Sequence, residues 1–233
     1  MDEPRQALQM LVSGHGRHTA AFDDLYAAVV ARPDTLAGLL AFYANEELDG
    51  SLALMPTLRA LWATATPDLV VQTSRHLADE LRHADLLWQR ARELGGRVGR
   101  PPRGDELLAS IFRRQTGTEI AYFAATEPRL DFRDLLAHFC MGFTIEVRAR
   151  ENYAPLVRRL TRDERTRALL VRQMHDEDFH VSYLARALEG LARAGHADAV
   201  DAGLREAHRL YEEVIDVSYG RLRDRLVPDA VAV

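Results

Sequence analysis

Apolar residues recur at three- and four-residue spacing along almost the whole 233-residue chain, and the few strand-like runs are short and rich in alanine. A period of 3.6 residues carried by good helix formers predicts an all-α protein. The pattern breaks at Arg32-Pro33-Asp34, between Gly95-Gly96 and Pro101-Pro102, at Glu127-Pro128 and at Gly195-His196-Ala197-Asp198, all of them turn chemistry. Between these breaks the expected helices cover residues 17–31, 35–61, 68–95, 104–125, 131–160, 162–194 and 198–225, with a short helix near 4–13. Thr66-Pro67-Asp68 reads as an N-cap, a proline at the first helical position and an acidic first turn, and Thr161-Arg162-Asp163-Glu164 as a capping box.

Charged residues interrupt the apolar faces in a pattern that occurs twice. Glu47 is followed 33 residues later by Glu80 within Asp79-Glu80-Leu81-Arg82-His83, and Glu146 is followed 31 residues later by Glu177 within Asp176-Glu177-Asp178-Phe179-His180. A Glu and a His three apart on a helix point the same way. Two antiparallel helices bring such ligands to one height only if the turn falls midway between them, because each residue adds 1.5 Å of rise. The midpoints, near residues 63 and 161, lie at or beside the two expected caps. Aligning Glu47 with Glu146 also brings Pro56 onto Pro155, each nine residues after its glutamate. Leu40, Tyr43, Ala44, Glu47, Ser51 and Leu54 share a mostly apolar face, whereas Glu46 shares one with Asp49, which favours Glu47 as the site residue and leaves Glu46 as the adjacent alternative.

Four carboxylates and two imidazoles projecting into a four-helix bundle form a ligand set for two iron ions. Two divalent ions would also balance four buried carboxylates, which are intolerable uncompensated. A histidine ligand needs its second ring nitrogen hydrogen-bonded, and Asp79 and Asp176 are placed for that. His76 joins Glu80 and His83 on one stripe at i, i+4 and i+7 as a third candidate ligand; its plainer role is a bond to a neighbouring helix.

Composition narrows the chemistry. The formal charge of -5, without a long single-sign run, gives no sign of nucleic-acid binding. No run of 18 apolar residues is present to span a bilayer, and Met1-Asp2-Glu3-Pro4-Arg5 lacks the apolar core of a signal peptide, so a soluble, cytoplasmic protein is expected. Cys140 is the only cysteine, which excludes an internal disulfide, a Cys-x-x-Cys pair and an all-cysteine iron–sulfur site; it is expected as a small core residue. Every basic residue is arginine, so Schiff-base and pyridoxal-phosphate chemistry on a lysine is excluded. Without a long linker, residues 1–233 read as one domain, with the bundle core at 35–194.

The paired motifs resemble the ferritin-like di-iron carboxylate superfamily, which includes bacterioferritin, rubrerythrin, ribonucleotide reductase small subunits and several oxygenases. Asp79-Glu80-Leu81-Arg82-His83 matches the Asp-Glu-x-Arg-His form of bacterial monooxygenases, while the second motif has Phe179 in place of the arginine. The resemblance implies a ferritin-like four-helix bundle with additional N-terminal, crossover and C-terminal helices. It also implies ligation of two Fe ions, or a Mn/Fe pair, by Glu47, Glu80, His83, Glu146, Glu177 and His180, with O2 as co-substrate. The chain departs from rubrerythrin in lacking the cysteines of a rubredoxin, and from many reductase subunits in carrying Leu87 where their radical tyrosine falls. The 63 positions between His83 and Glu146 exceed the bacterioferritin spacing. Tyr153, seven residues after Glu146, stands where ferritins and deformylating oxygenases often carry a tyrosine bonded to the metal shell; otherwise it is a core tyrosine. Arylamine N-oxygenases add a third histidine on their second motif helix, where this chain has Gln173.

The implied function is an O2-activating oxygenase or oxidase acting on a C–H, amine or aldehyde group of a small organic substrate. It would draw electrons from a separate ferredoxin or reductase, since no flavin or dinucleotide fingerprint appears, and work as a monomer or homodimer. The alternative is iron handling: a ferroxidase, a storage protein or a peroxide scavenger. The crossover segment 104–125, with Ile120-Ala121-Tyr122-Phe123, favours the enzyme by offering apolar cover for a pocket on the Glu47, Glu146 and Tyr153 side. Glu119 on that segment is a weaker pocket candidate, with a solvated or capping role preferred.

Overall fold

The computed structural model describes residues 3–13, 19–64, 67–97, 99, 106–117, 119, 120 and 130–228. The expected cap at Thr66 and the run Ala121-Tyr122-Phe123 lie outside them. The described residues are all-helical, with no strand among them: α1 (Glu3–Val12), α2 (Thr19–Val30), α3 (Pro33–Thr64), α4 (Pro67–Glu93), α5 (Leu107–Thr116), α6 (Phe132–Arg159), α7 (Glu164–Leu191), a π turn (Ala192–His196) and α8 (Ala197–Leu226).

Local chemistry explains most boundaries. Pro33 and Pro67 open α3 and α4, at the position where a missing N–H costs nothing. Asp131 and Asp134 exchange side-chain-to-backbone bonds at the start of α6. The cap of α7 corrects the expected Thr161 box. Asp163 caps that helix, accepting the Thr166 N–H at 3.0 Å, and Glu164 is its first residue. Asp163 prevails because it is held twice more, by Arg90 Nη2 at 2.9 and 2.8 Å and by the Thr166 hydroxyl at 2.5 Å. The expected continuous helix over 104–125 is also corrected. Gly117 (φ 73°) closes α5, its N–H bonding the Arg113 carbonyl at 2.9 Å, in a left-handed conformation that glycine adopts freely. Gly195 (φ 96°), at one of the expected breaks, lies in the π turn where α7 gives way to α8.

Packing follows the hairpins. α3 runs against α4 and α6 against α7, with α4 touching α7, while α8 covers α6 and α5. One hydrophobic cluster draws residues from all of these helices. A buried Arg148 on α6 ties α8 down, with Nη2 3.0 Å from Glu212 Oε1 and its guanidinium 4.9 Å from the Tyr211 ring centre. Cys140 is buried, as expected of a core residue, and burial pushes its thiol up to about 12. No helix among the described residues is long and apolar enough to cross a membrane.

Candidate metal centre

The motif residues meet where α3, α4, α6 and α7 face one another, and all are buried: Glu47 from α3, Glu80 and His83 from α4, Glu146 from α6, and Glu177 and His180 from α7. His76 joins them. Two donor sets form, one of Glu47, Glu80, His83 and Glu177, the other of His76, Glu80, Glu146 and His180, each offering atoms within 4.8 Å of one another. Glu80 belongs to both. His83 Nδ1 is 3.5 Å from both Glu47 Oε2 and Glu177 Oε1, and His76 Nε2 is 3.3 Å from Glu80 Oε1 and 3.1 Å from Glu146 Oε1. Donors that each stand about 2.0–2.2 Å from a common ion are separated by roughly 3.0–3.5 Å, so this spacing suits a metal. His83 Nδ1 is moreover buried without a hydrogen-bond partner, a costly state for an imidazole nitrogen unless it has an ion to face. The donor types, carboxylate and imidazole, fit iron or manganese.

The outer ring nitrogens are braced crosswise. His83 Nε2, on α4, lies 3.2 Å from Asp176 Oδ2 on α7, and His180 Nε2, on α7, lies 3.4 Å from Asp79 Oδ2 on α4. Arg82 joins the two carboxylates, at 2.7 Å from Asp79 Oδ1 and 2.8 Å from Asp176 Oδ2. Each Asp therefore orients the histidine of the other motif. His76 is held by Tyr183, whose hydroxyl is 2.8 Å from Nδ1, and stacks on His180 with ring centres 3.7 Å apart. This leaves Nε2 facing the carboxylates, so the bond to a neighbouring helix and the ligand position are compatible. Tyr183 was missed in the sequence, although it sits three residues after His180 on the same stripe.

Tyr153 donates to Glu47 Oε1 at 2.6 Å and meets the Tyr43 ring edge-on at 5.0 Å. Glu46 is engaged elsewhere. Its carboxylate accepts the Leu107 and Leu108 N–H groups at 3.0 and 2.6 Å, capping α5 from α3. Glu119 pairs with Arg113 at 2.9 and 3.0 Å. His175 is exposed. The electrostatics call for positive charge: burial and the neighbouring carboxylates raise Glu80 well above the usual range, and burial and Glu146 push Glu177 up to about 8. Burial opposes charge on His83, yet Glu47, Glu177 and Glu80 raise it to about 10.

Spaces lined by described residues adjoin the cluster. An apolar cavity of about 80 Å³ reaches His76, Glu80 and Glu146 and is lined by Leu54, Ile111 and Phe112 among others, with Ile120 also contributing. A second, of about 60 Å³, lies on the Glu47, Glu146 and Tyr153 side, among Tyr43, Tyr211 and Tyr219. A polar groove of about 250 Å³ runs over His83, Gln173 and Asp176 between α4 and α7. Comparison with protein-family models, curated proteins and solved structures finds no match for the chain.

Proposed function

We propose that this chain is a non-haem di-iron oxidoreductase of ferritin-like architecture that uses O2 to oxidise a small organic molecule. The observation that carries the reading is the pair of buried donor sets sharing Glu80, one of which opens through His76, Glu80 and Glu146 onto an apolar cavity. Glu47, Glu80, His83 and Glu177 would hold one ion, and His76, Glu80, Glu146 and His180 the other. When bound, the metal pair supplies O2 activation and redox capacity. The chain's own residues do the rest. Asp79, Asp176 and Arg82 fix the histidine rings, Tyr183 fixes His76, and such partners set ligand orientation and basicity. Tyr153 holds one Glu47 oxygen by donating its proton, which limits how that carboxylate can swing. The apolar walls keep bulk water from the reacting atoms.

The ferroxidase alternative needs a carboxylate-lined iron path, whereas the walls of the cavity beside His76 are mainly aliphatic and aromatic. Electrons would come from a separate donor protein. The test is anaerobic Fe(II) titration followed by O2, with light scattering on the product. Two irons per chain, O2 consumed without mineral growth and a monomer or dimer are expected. A large cage that accumulates iron mineral overturns the oxygenase reading, and failure to bind iron overturns the metal centre.

A further inference from the structure

Thr73 lies on α4, one turn before His76 on the side away from Glu80, and its side chain lines the cavity of about 80 Å³. It is fully buried, yet its hydroxyl has no hydrogen-bond partner. Helical hydroxyls usually take the carbonyl one turn back, as Ser74, Thr116 and Thr144 do here at 2.8, 2.9 and 2.8 Å. Thr73 does not. A buried hydroxyl without a partner is expensive to keep, and this one faces a space large enough for something else to bond it. The rest of the described lining is mainly apolar, with Leu54, Ile111, Phe112 and Ile120 among it. His138 is at the same cavity, its Nδ1 3.1 Å from the Thr57 hydroxyl. Burial lowers it to about 4, so it is neutral at neutral pH.

We infer that this cavity binds an uncharged, largely apolar molecule, anchored through one hydrogen-bonding atom by Thr73. A water needs about 10–15 Å³ of such volume, so the cavity has room for on the order of six heavy atoms before its walls adjust. The anchor stands about one turn, roughly 5 Å, along the helix from His76. A molecule held there therefore presents carbon, several bonds from its own polar atom, to the His76–Glu146 edge.

This substrate class rests on the oxidoreductase reading, but binding tests it without turnover. The probes are benzyl alcohol and toluene, titrated by calorimetry into protein loaded with redox-inert Zn(II). Benzyl alcohol is expected to bind about tenfold more tightly than toluene. Thr73→Val, close in shape but without the hydroxyl, should bring benzyl alcohol down to the level of toluene, a loss of about tenfold, and leave toluene unchanged. Gly142→Leu places bulk on the cavity wall and should weaken both, with circular dichroism reporting that the helices remain. Equal binding of toluene and benzyl alcohol overturns the inference, as does a preference for the alcohol that survives Thr73→Val. Repeating the titrations on metal-free protein separates the two failures: a chain that takes up no Zn(II) refutes the metal centre, while the cavity's preference is still read directly.

Discussion

Leu54 and Tyr153 occupy the same place in the repeated pattern, seven residues after Glu47 and Glu146, and His76 and Gln173 share another, four residues before Glu80 and Glu177. At the end of the cluster toward the α3–α4 connection, Leu54 and His76 line an apolar cavity. Toward the α6–α7 connection, Tyr153 donates to Glu47 and Gln173 lines a polar groove. Between the two ends the pattern is nearly symmetric, down to the crossed Asp79–His180 and Asp176–His83 contacts. The contrast has a physical basis. Balancing four buried carboxylates imposes the same demand on both halves, whereas what approaches the cluster need come from only one side. The repeated residues therefore build the centre, and the residues that break the repeat decide what it meets.

The largest effect is expected from Glu80→Ala, because Glu80 belongs to both donor sets whereas Glu47 and Glu146 each belong to one. Dialysis against Fe(II) followed by elemental analysis should show both irons lost from Glu80→Ala, while Glu47→Ala and Glu146→Ala each retain about one. Equal losses in all three would mean that the two sets are not separate positions. Next come Asp79→Asn and Asp176→Asn. Each amide still fills the space but no longer fixes the ring nitrogen as an acceptor-only partner, and metal affinity should fall about 10–100-fold. By the cross-bracing, Asp176→Asn should weaken the His83 position and Asp79→Asn the His180 position, which Co(II) spectra of the two variants can distinguish.

A smaller effect separates two helical glycines. A Cβ on Gly50 would stand 2.7 Å from Glu80 Oε2, while one on Gly142 would meet nothing closer than Leu184 at 3.7 Å. Gly50→Ala should displace the shared carboxylate and lower metal affinity by roughly tenfold. Gly142→Ala should leave affinity unchanged and gain about 0.5–1 kcal/mol of stability from helix propensity. If Gly50→Ala binds metal normally, Glu80 has room to move and its close fit is not needed.

The helices and the cluster were legible in the sequence because both rest on periodicity: apolar spacing sets the faces, and Glu-x-x-His puts two donors on one of them. The choice of Glu47 over Glu46 followed from the same reasoning, although the actual task of Glu46, capping α5 across 61 and 62 residues of chain, has no local signature. The helix ends were less legible. Asp163 displaced Thr161 as a cap because Arg90 of another helix holds it, and no window of sequence contains that contact. Gly117 did carry a signal, a glycine between two threonines, but the apolar run beyond it suggested continuity. Thr73 illustrates the limit: nothing in its neighbours marks it, and its interest lies in a bond that it does not make.

The smallest predicted change tests the comparison of the two ends by its sign. Gln173 is 1% exposed and both of its amide atoms are buried without a partner. A buried polar group left unpaired costs about 1–3 kcal/mol, and an apolar group of similar shape removes that cost. Gln173→Leu should therefore stabilise the metal-free protein by about 1 kcal/mol, seen as a higher urea midpoint at unchanged slope. His76→Leu, at the matching position, should do the opposite, since it strips the Tyr183 hydroxyl of its 2.8 Å contact and removes the imidazole beside Glu80 and Glu146. Opposite signs would establish that the α4 position is built into the polar cluster and the α7 position is not. A loss of stability in Gln173→Leu would instead show that the groove over His83 gives that amide a partner, and that the α7 position is tied into the polar cluster as firmly as the α4 position.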